Sequence, residues 1–260
     1  MNSSKDGFFY ASRHAQSVDA AELIMGEIMR YISVPRRVVD IGCGVGTWLA
    51  VAQRLGAEVV LGIDGPWVPR EHLQIPETCF QCVDLHEIIS VNNHFDLAIS
   101  LEVAEHLPPA RAESFVVMLC GLADVVLFSA AIPHQEGVGH LNEQWPDYWA
   151  KLFDRCGYHA VDLLRTAFWD DARIPIWYRQ NAVVYCKEGS VATEIEKNIT
   201  CNFSPRAMVH PELYLARVED LKKFEARRQS ALTCLLWFFA ALKNRMRQVM
   251  HHSASRNGSQ

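Results

Sequence analysis

Val38-Val-Asp40-Ile-Gly42-Cys-Gly44-Val-Gly46 reads as a short apolar strand running into three glycines at two-residue spacing. Glycines at that spacing let the backbone turn tightly and approach a ligand without Cβ clashes. A dinucleotide fingerprint, Gly-x-Gly-x-x-Gly, would need its third glycine where Thr47 stands, so the spacing suits a different nucleotide-like ligand. Upstream, Leu23, Ile24, Ile28, Tyr31 and Ile32 form one stripe of a helix over 17–32, which Pro35 stops. Downstream, the pattern predicts a helix over Thr47–Leu55 and a strand over Glu58–Ile63. Strands follow at Cys79–Val83, Phe95–Ser100 and Asp124–Ala130, with helices at Pro109–Gly121 and Pro146–Gly157. Strands that are continuously apolar and alternate with helices imply a parallel sheet covered on both faces. The last two strands, near Tyr158–Leu164 and Ile176–Cys186, are joined by a stretch without helical pattern, so that pair is expected to be antiparallel.

The expectation is therefore an α/β, Rossmann-like, doubly wound and mostly parallel seven-stranded sheet with an antiparallel last strand, plus a C-terminal helical tail. Its parts are an N-terminal helical segment (1–34), a ligand-binding domain (35–188), a linker (189–219), a basic helix (220–252) and a disordered tail (253–260).

The 260 residues, half of them hydrophobic, rule out disorder and collagen-like repeats. The net charge of −5 is unevenly spread. From Asp220 onward eight basic residues face two acids, leaving the body strongly acidic. An acidic body argues against nucleic acid, whose phosphates call for clustered Lys and Arg. No secretory pattern opens the chain, and its longest apolar run, Ala231–Leu242, falls short of the roughly 20 residues that span a bilayer. The eight cysteines are read as reduced cytosolic thiols, with Cys79-x-x-Cys82 lacking a second pair to complete a zinc site.

In an open α/β sheet the ligand lies beyond the carboxyl ends of the strands. The second strand ends at Asp64, whose carboxylate can accept from both vicinal hydroxyls of a ribose. The third ends at Asp84-Leu85, an acid for an exocyclic adenine amine beside an apolar cover for the ring. After the fourth come Leu101, Glu102, Glu105 and His106, the last three spaced to share one face of a helical turn. After the fifth comes a loop rich in His and acids, from His134 through His140 to Trp145.

On these residues the chain resembles, over roughly 10–187, the class I S-adenosylmethionine-dependent methyltransferases. The resemblance implies S-adenosyl-L-methionine as cofactor, with Gly42, Cys43, Gly44 and Gly46 at its methionyl part, Asp64 on ribose, Asp84 with Leu85 around adenine, and Leu101 as a further cofactor-binding residue. Asp40 would hold the loop and the cofactor's amino end. Glu-x-x-Glu-His is also similar to two oxygen-methylating branches, of the ubiquinone pathway and of small-RNA 3′ ends. That implies a divalent metal such as Mg on Glu102, Glu105, His106 and His140. Without a metal, His134 or His140 would be the general base, with Glu105 beside it. Trp145, Tyr148 and Trp149 are either pocket or core.

The expected function is O-methylation of a small-molecule, sugar or lipid-linked hydroxyl, with a cytoplasmic location. N-methylation of a small amine, or a non-catalytic scaffold docking a partner through its tail, are the alternatives. In the tail, Leu221, Phe224, Leu232, Leu235, Phe239, Leu242, Met246 and Val249 recur at three- and four-residue steps. Leu235-Leu-Trp-Phe-Phe239 is apolar all round and flanked by Arg and Lys. The pattern leaves two readings open: packing on the body or a second subunit, and peripheral contact with the inner face of a membrane.

Overall fold

The computed structural model describes residues 17–87, 93–135, 137–190 and 205–256. Within them a helix over 17–28 (α1) precedes β1 (Arg37–Ile41), α2 (Thr47–Arg54), β2 (Val59–Asp64) and β3 (Phe80–Cys82). Then come β4 (Leu97–Leu101), α3 (Ala112–Leu122), β5 (Val125–Ser129), α4 (Pro146–Arg155) and β6 (Tyr158–Val161). Two short helices, α5 (Leu163–Phe168) and α6 (Ile176–Asn181), lead to β7 (Val183–Lys187), and α7 spans Pro211–Arg256.

The seven strands form one sheet in the order β3-β2-β1-β4-β5-β7-β6. All neighbours are parallel except β7, which runs antiparallel to both β5 and β6. β4 and β5 are buried at every position, as their unbroken apolar runs require when helices cover both faces. One core, under α1, α2 and α6, centres on Ile24, Trp48, Leu49 and Ile99. The other, under α3 and α4, holds Phe115, Phe128, Trp149 and Phe153. In it Phe153 stacks on Tyr185 at 3.8 Å between ring centroids, a contact whose truncation to alanine costs about 3–5 kcal/mol. Trp149 is accordingly a core residue, in ring contact with Phe128 at 5.2 Å, and Trp145 stays at the surface.

Local sequence explains most boundaries. Pro146 opens α4 at a position where its missing N–H is no loss. Gly56 and Gly157, both at positive φ, end α2 and α4. Two expectations are corrected. The stretch around Ile176 is helix, because Pro175 supplies a helix-starting turn and the chain then drops straight into β7. The connection before it is helical as well, over Leu163–Phe168.

The chain divides into two compact units, Met1–His210 and Pro211–Gln260. The first unit reaches past the expected limit at 188: Arg165 donates to the carbonyl of Arg206 at 2.9 Å, and the backbone N–H of His210 donates to Gln180 Oε1 at 2.7 Å. The second unit contains α7, which starts at Pro211 instead of 220 and continues to Arg256, through the start of the tail expected to be disordered. The first 16 residues, part of the expected linker (191–204) and the last four residues lie outside the described residues.

Candidate active site

The strand order reverses between β1 and β4, and there the loops leaving both strands meet. Gly42 sits at φ 84°, and a Cβ on it would fall 2.3 Å from Val103 Cγ2 in the loop after β4. Gly46, at φ 81°, similarly faces Ile75, 2.9 Å from where its Cβ would stand. Gly44 differs: at φ 53° its missing Cβ points into open space, with nothing within 4 Å. Two glycines of the loop thus serve close packing, and the third leaves its outer surface bare.

Asp64 fastens this loop to β2. Its carboxylate accepts the Gly44 N–H at 2.7 Å and the Gly65 N–H at 2.6 Å. Burial nevertheless raises its pKa above the usual carboxylate range. Asp40, buried one strand away, is raised well above that range by burial and by the charge of Asp64. A raised carboxyl binds more protons folded than unfolded, so its contribution to stability falls as pH climbs from the unfolded value near 4. Thermal melts across pH 4–8 should therefore show a decline that Asp40→Asn flattens; an equally steep decline in the variant would exclude Asp40 as its source.

A cavity of about 520 Å³ opens over these strand ends. Gly42, Asp64 and Leu85 line one part, and Glu102, His106 and Gly139 another. Asp84 is exposed and turned along its own turn, accepting the His86 N–H at 3.0 Å and facing the ring Nδ1 at 2.9 Å, which holds it below the usual carboxylate range. Leu85 and His86, not Asp84, reach the cavity. Cys43 is buried with its thiol pushed up, and Leu101 is buried too. Trp67, Val103, Leu107 and Leu141 complete the lining. Sequence reading missed these apolar walls, although Trp67 stands just past the strand-end acid Asp64.

Glu102, Glu105 and His106 do not share one helical face. Only Ala104–His106 forms a turn, of the tighter 3-10 kind, and Glu102 lies before it at φ 55°. That strained backbone is held by Ser129, whose hydroxyl and carbonyl both accept the Glu102 N–H, at 3.0 and 3.1 Å. The Glu102 carboxylate accepts Gln135 Nε2 at 2.9 Å and Asn181 Nδ2 at 3.1 Å. Burial raises its pKa, and these amides oppose the rise.

Glu105 is fully buried, and neither carboxyl oxygen completes a hydrogen bond of good geometry. Burial first, and the charge of Glu102 second, lift it well above the usual range, against the nearby amides of Glu105 itself and Ala131. Its backbone carbonyl accepts the N–H groups of Leu141 at 2.7 Å and Asn142 at 2.9 Å, which hangs the loop after β5 over the turn. That brings His140 edge-on to His106, at 4.8 Å between centroids. Glu143 Oε1 lies 2.8 Å from His140 Nδ1, and Glu143 Oε2 accepts the His134 N–H at 2.8 Å. Gly137 makes room for the ring, since a Cβ there would stand 2.1 Å from His140 Nε2. His134 is exposed, at φ 66°. Among the described residues, Glu105, His106 and His140 form a group whose potential ligand atoms all lie within 4.8 Å of one another; Glu102 stands outside it.

A family model described as a methyltransferase domain matches residues 13–115. The chain is 30% identical over 109 residues to the ribosomal protein L11 methyltransferase of Thermotoga neapolitana, and spans 41% of the length of that relative. Two solved structures share the fold. Magnesium protoporphyrin IX methyltransferase from Synechocystis PCC 6803, with S-adenosylhomocysteine bound, aligns at a TM-score of 0.54 with 17% identity, over 70% of this chain and 94% of that one. An amino pentose methyltransferase from Micromonospora echinaspora, with S-adenosylmethionine bound, aligns at 0.51 with 14% identity, over 69% and 96%.

Proposed function

We propose that this chain, which has the class I S-adenosylmethionine-dependent methyltransferase fold, transfers a methyl group from that cofactor to a hydroxyl of a small molecule, a sugar or a lipid-linked intermediate. The observation that carries the reading is one cavity lined by Gly42 of the glycine loop and the strand-end acid Asp64 together with Glu102 and His106. Its volume, about 520 Å³, lies in the range of small-ligand sites.

The residues present fit the cofactor. Gly44 leaves the loop open where a side chain would stand, and the Asp64 carboxylate, which also takes the Trp67 indole N–H, keeps lone-pair capacity for a ribose hydroxyl. Leu85 and Trp67 offer apolar cover for the base. When bound, S-adenosylmethionine supplies an electrophilic methyl on a sulfonium. The chain then has to hold the acceptor oxygen in line and take its proton. His106 lines the cavity, and His140 is oriented by Glu143, so this imidazole pair is the proposed proton acceptor, with Glu105 beneath it. The test is a calorimetric titration of the full chain with S-adenosylhomocysteine, followed by mass spectrometry of an acceptor panel for the gain of a methyl group. No heat of binding overturns the reading.

One observation favours a second version of the same site. The converging group of Glu105, His106 and His140 offers one buried carboxylate and two imidazoles, a set that suits a divalent transition metal better than Mg. Such an ion would neutralise Glu105 and orient the acceptor hydroxyl. Here activity should fall at least about tenfold after exhaustive chelation and return with one added divalent ion. Activity indifferent to chelators leaves the imidazole pair as base.

A further inference from the structure

After Glu225 the chain contains no acid, while Arg227, Arg228, Lys243, Arg245, Arg247 and Arg256 all follow. All six lie on α7. The large apolar side chains of its middle are exposed, from Leu242 at 46% to Trp237 at 74%. With 100° per residue, Leu221, Phe224, Leu232, Leu235, Leu236, Phe238, Phe239 and Leu242 fall within an arc of roughly 160°. Arg228 and Lys243 lie on the same face at the two ends of the Leu232–Leu242 stretch, Glu225 lies on it ahead of Arg228, and Arg227 and Arg245 border the arc along one edge. Trp237 stands off the arc.

We propose that α7 lies along an anionic lipid surface, its apolar arc in the acyl boundary and its bordering cations among the headgroups. Two features favour lipid over a second copy of the chain. A two-stranded coiled coil covers only a narrow seam, which would leave Leu236 and Phe238 in water. Parallel pairing would also bring the six cations of each copy together with no acid between them, whereas an anionic leaflet attracts each one. No helix among the described residues is long and apolar enough to cross a bilayer, so the proposed contact is along the surface and not through it. The attraction is local, because the whole chain is net negative at −5.

Flotation of the full chain with phosphatidylcholine vesicles, with and without phosphatidylglycerol, tests this. Recovery with the anionic vesicles alone, falling as salt is added, is the expected result. Lys243→Ala with Arg245→Ala should weaken partitioning about tenfold or more, and Phe238→Ser with Phe239→Ser should abolish it. Equal recovery in the soluble fraction with every vesicle, binding unchanged by both variants, or self-association in sedimentation without vesicle binding would each overturn the proposal. None of these readouts depends on methyl transfer.

Discussion

Gly44→Val should weaken S-adenosylhomocysteine binding by about 100-fold or more, roughly 2.7 kcal/mol, while the protein still folds. The argument rests on how the three glycines differ. Side chains at 42 or 46 would strike Val103 or Ile75, so those variants would damage folding and binding together. At 44 the added atoms meet nothing of the chain, and the folding penalty is limited to a β-branched residue at φ 53°, about 1–2 kcal/mol. That amounts to a modest drop in Tm, whereas on the proposed reading the same atoms stand where the cofactor's methionyl part would approach the loop. Calorimetry paired with thermal melts separates the two effects. Unchanged affinity in Gly44→Val would remove the loop from the binding site.

Glu105→Gln should lower turnover by about 10²- to 10³-fold, leave S-adenosylhomocysteine affinity within about threefold, and leave Tm unchanged or higher. A fully buried carboxyl without a well-formed hydrogen bond is a cost in the folded state that a neutral amide of equal size lessens. Such a group is retained where its charge or proton acts on something else. On the proposed reading that partner is either the imidazole pair or an ion held with it. Glu105→Ala should spare binding and lose turnover likewise, with some added instability from the void. The opposite pattern, a lower Tm with normal turnover, would make Glu105 a structural residue.

Much of this architecture was legible because it is written in local periodicity. The apolar runs of β1, β4 and β5, the glycines after β1, and an acid at the end of β2 are readable from neighbouring residues alone, and the sheet uses them in that order. The short helix over Ile176–Asn181 does not show itself in the sequence, since six residues, three apolar and three polar, carry no decisive period and only Pro175 hints at the turn.

The site was harder to read because its geometry is fixed across long sequence separations. Helical spacing placed Glu102 with Glu105 and His106, yet Ser129, Gln135 and Asn181 hold it at positive φ and away from them. His140 reaches His106 because the Glu105 carbonyl holds the loop at Leu141 and Asn142, and because Gly137 is small enough to lie under the ring. Sequence by itself determined the doubly wound sheet, the bare glycine loop and the basic helix, because each depends on residues within a few positions of one another. Tertiary structure alone decided which acids face the cavity and which imidazoles meet, because those contacts join strand ends that come together only when the sheet is assembled.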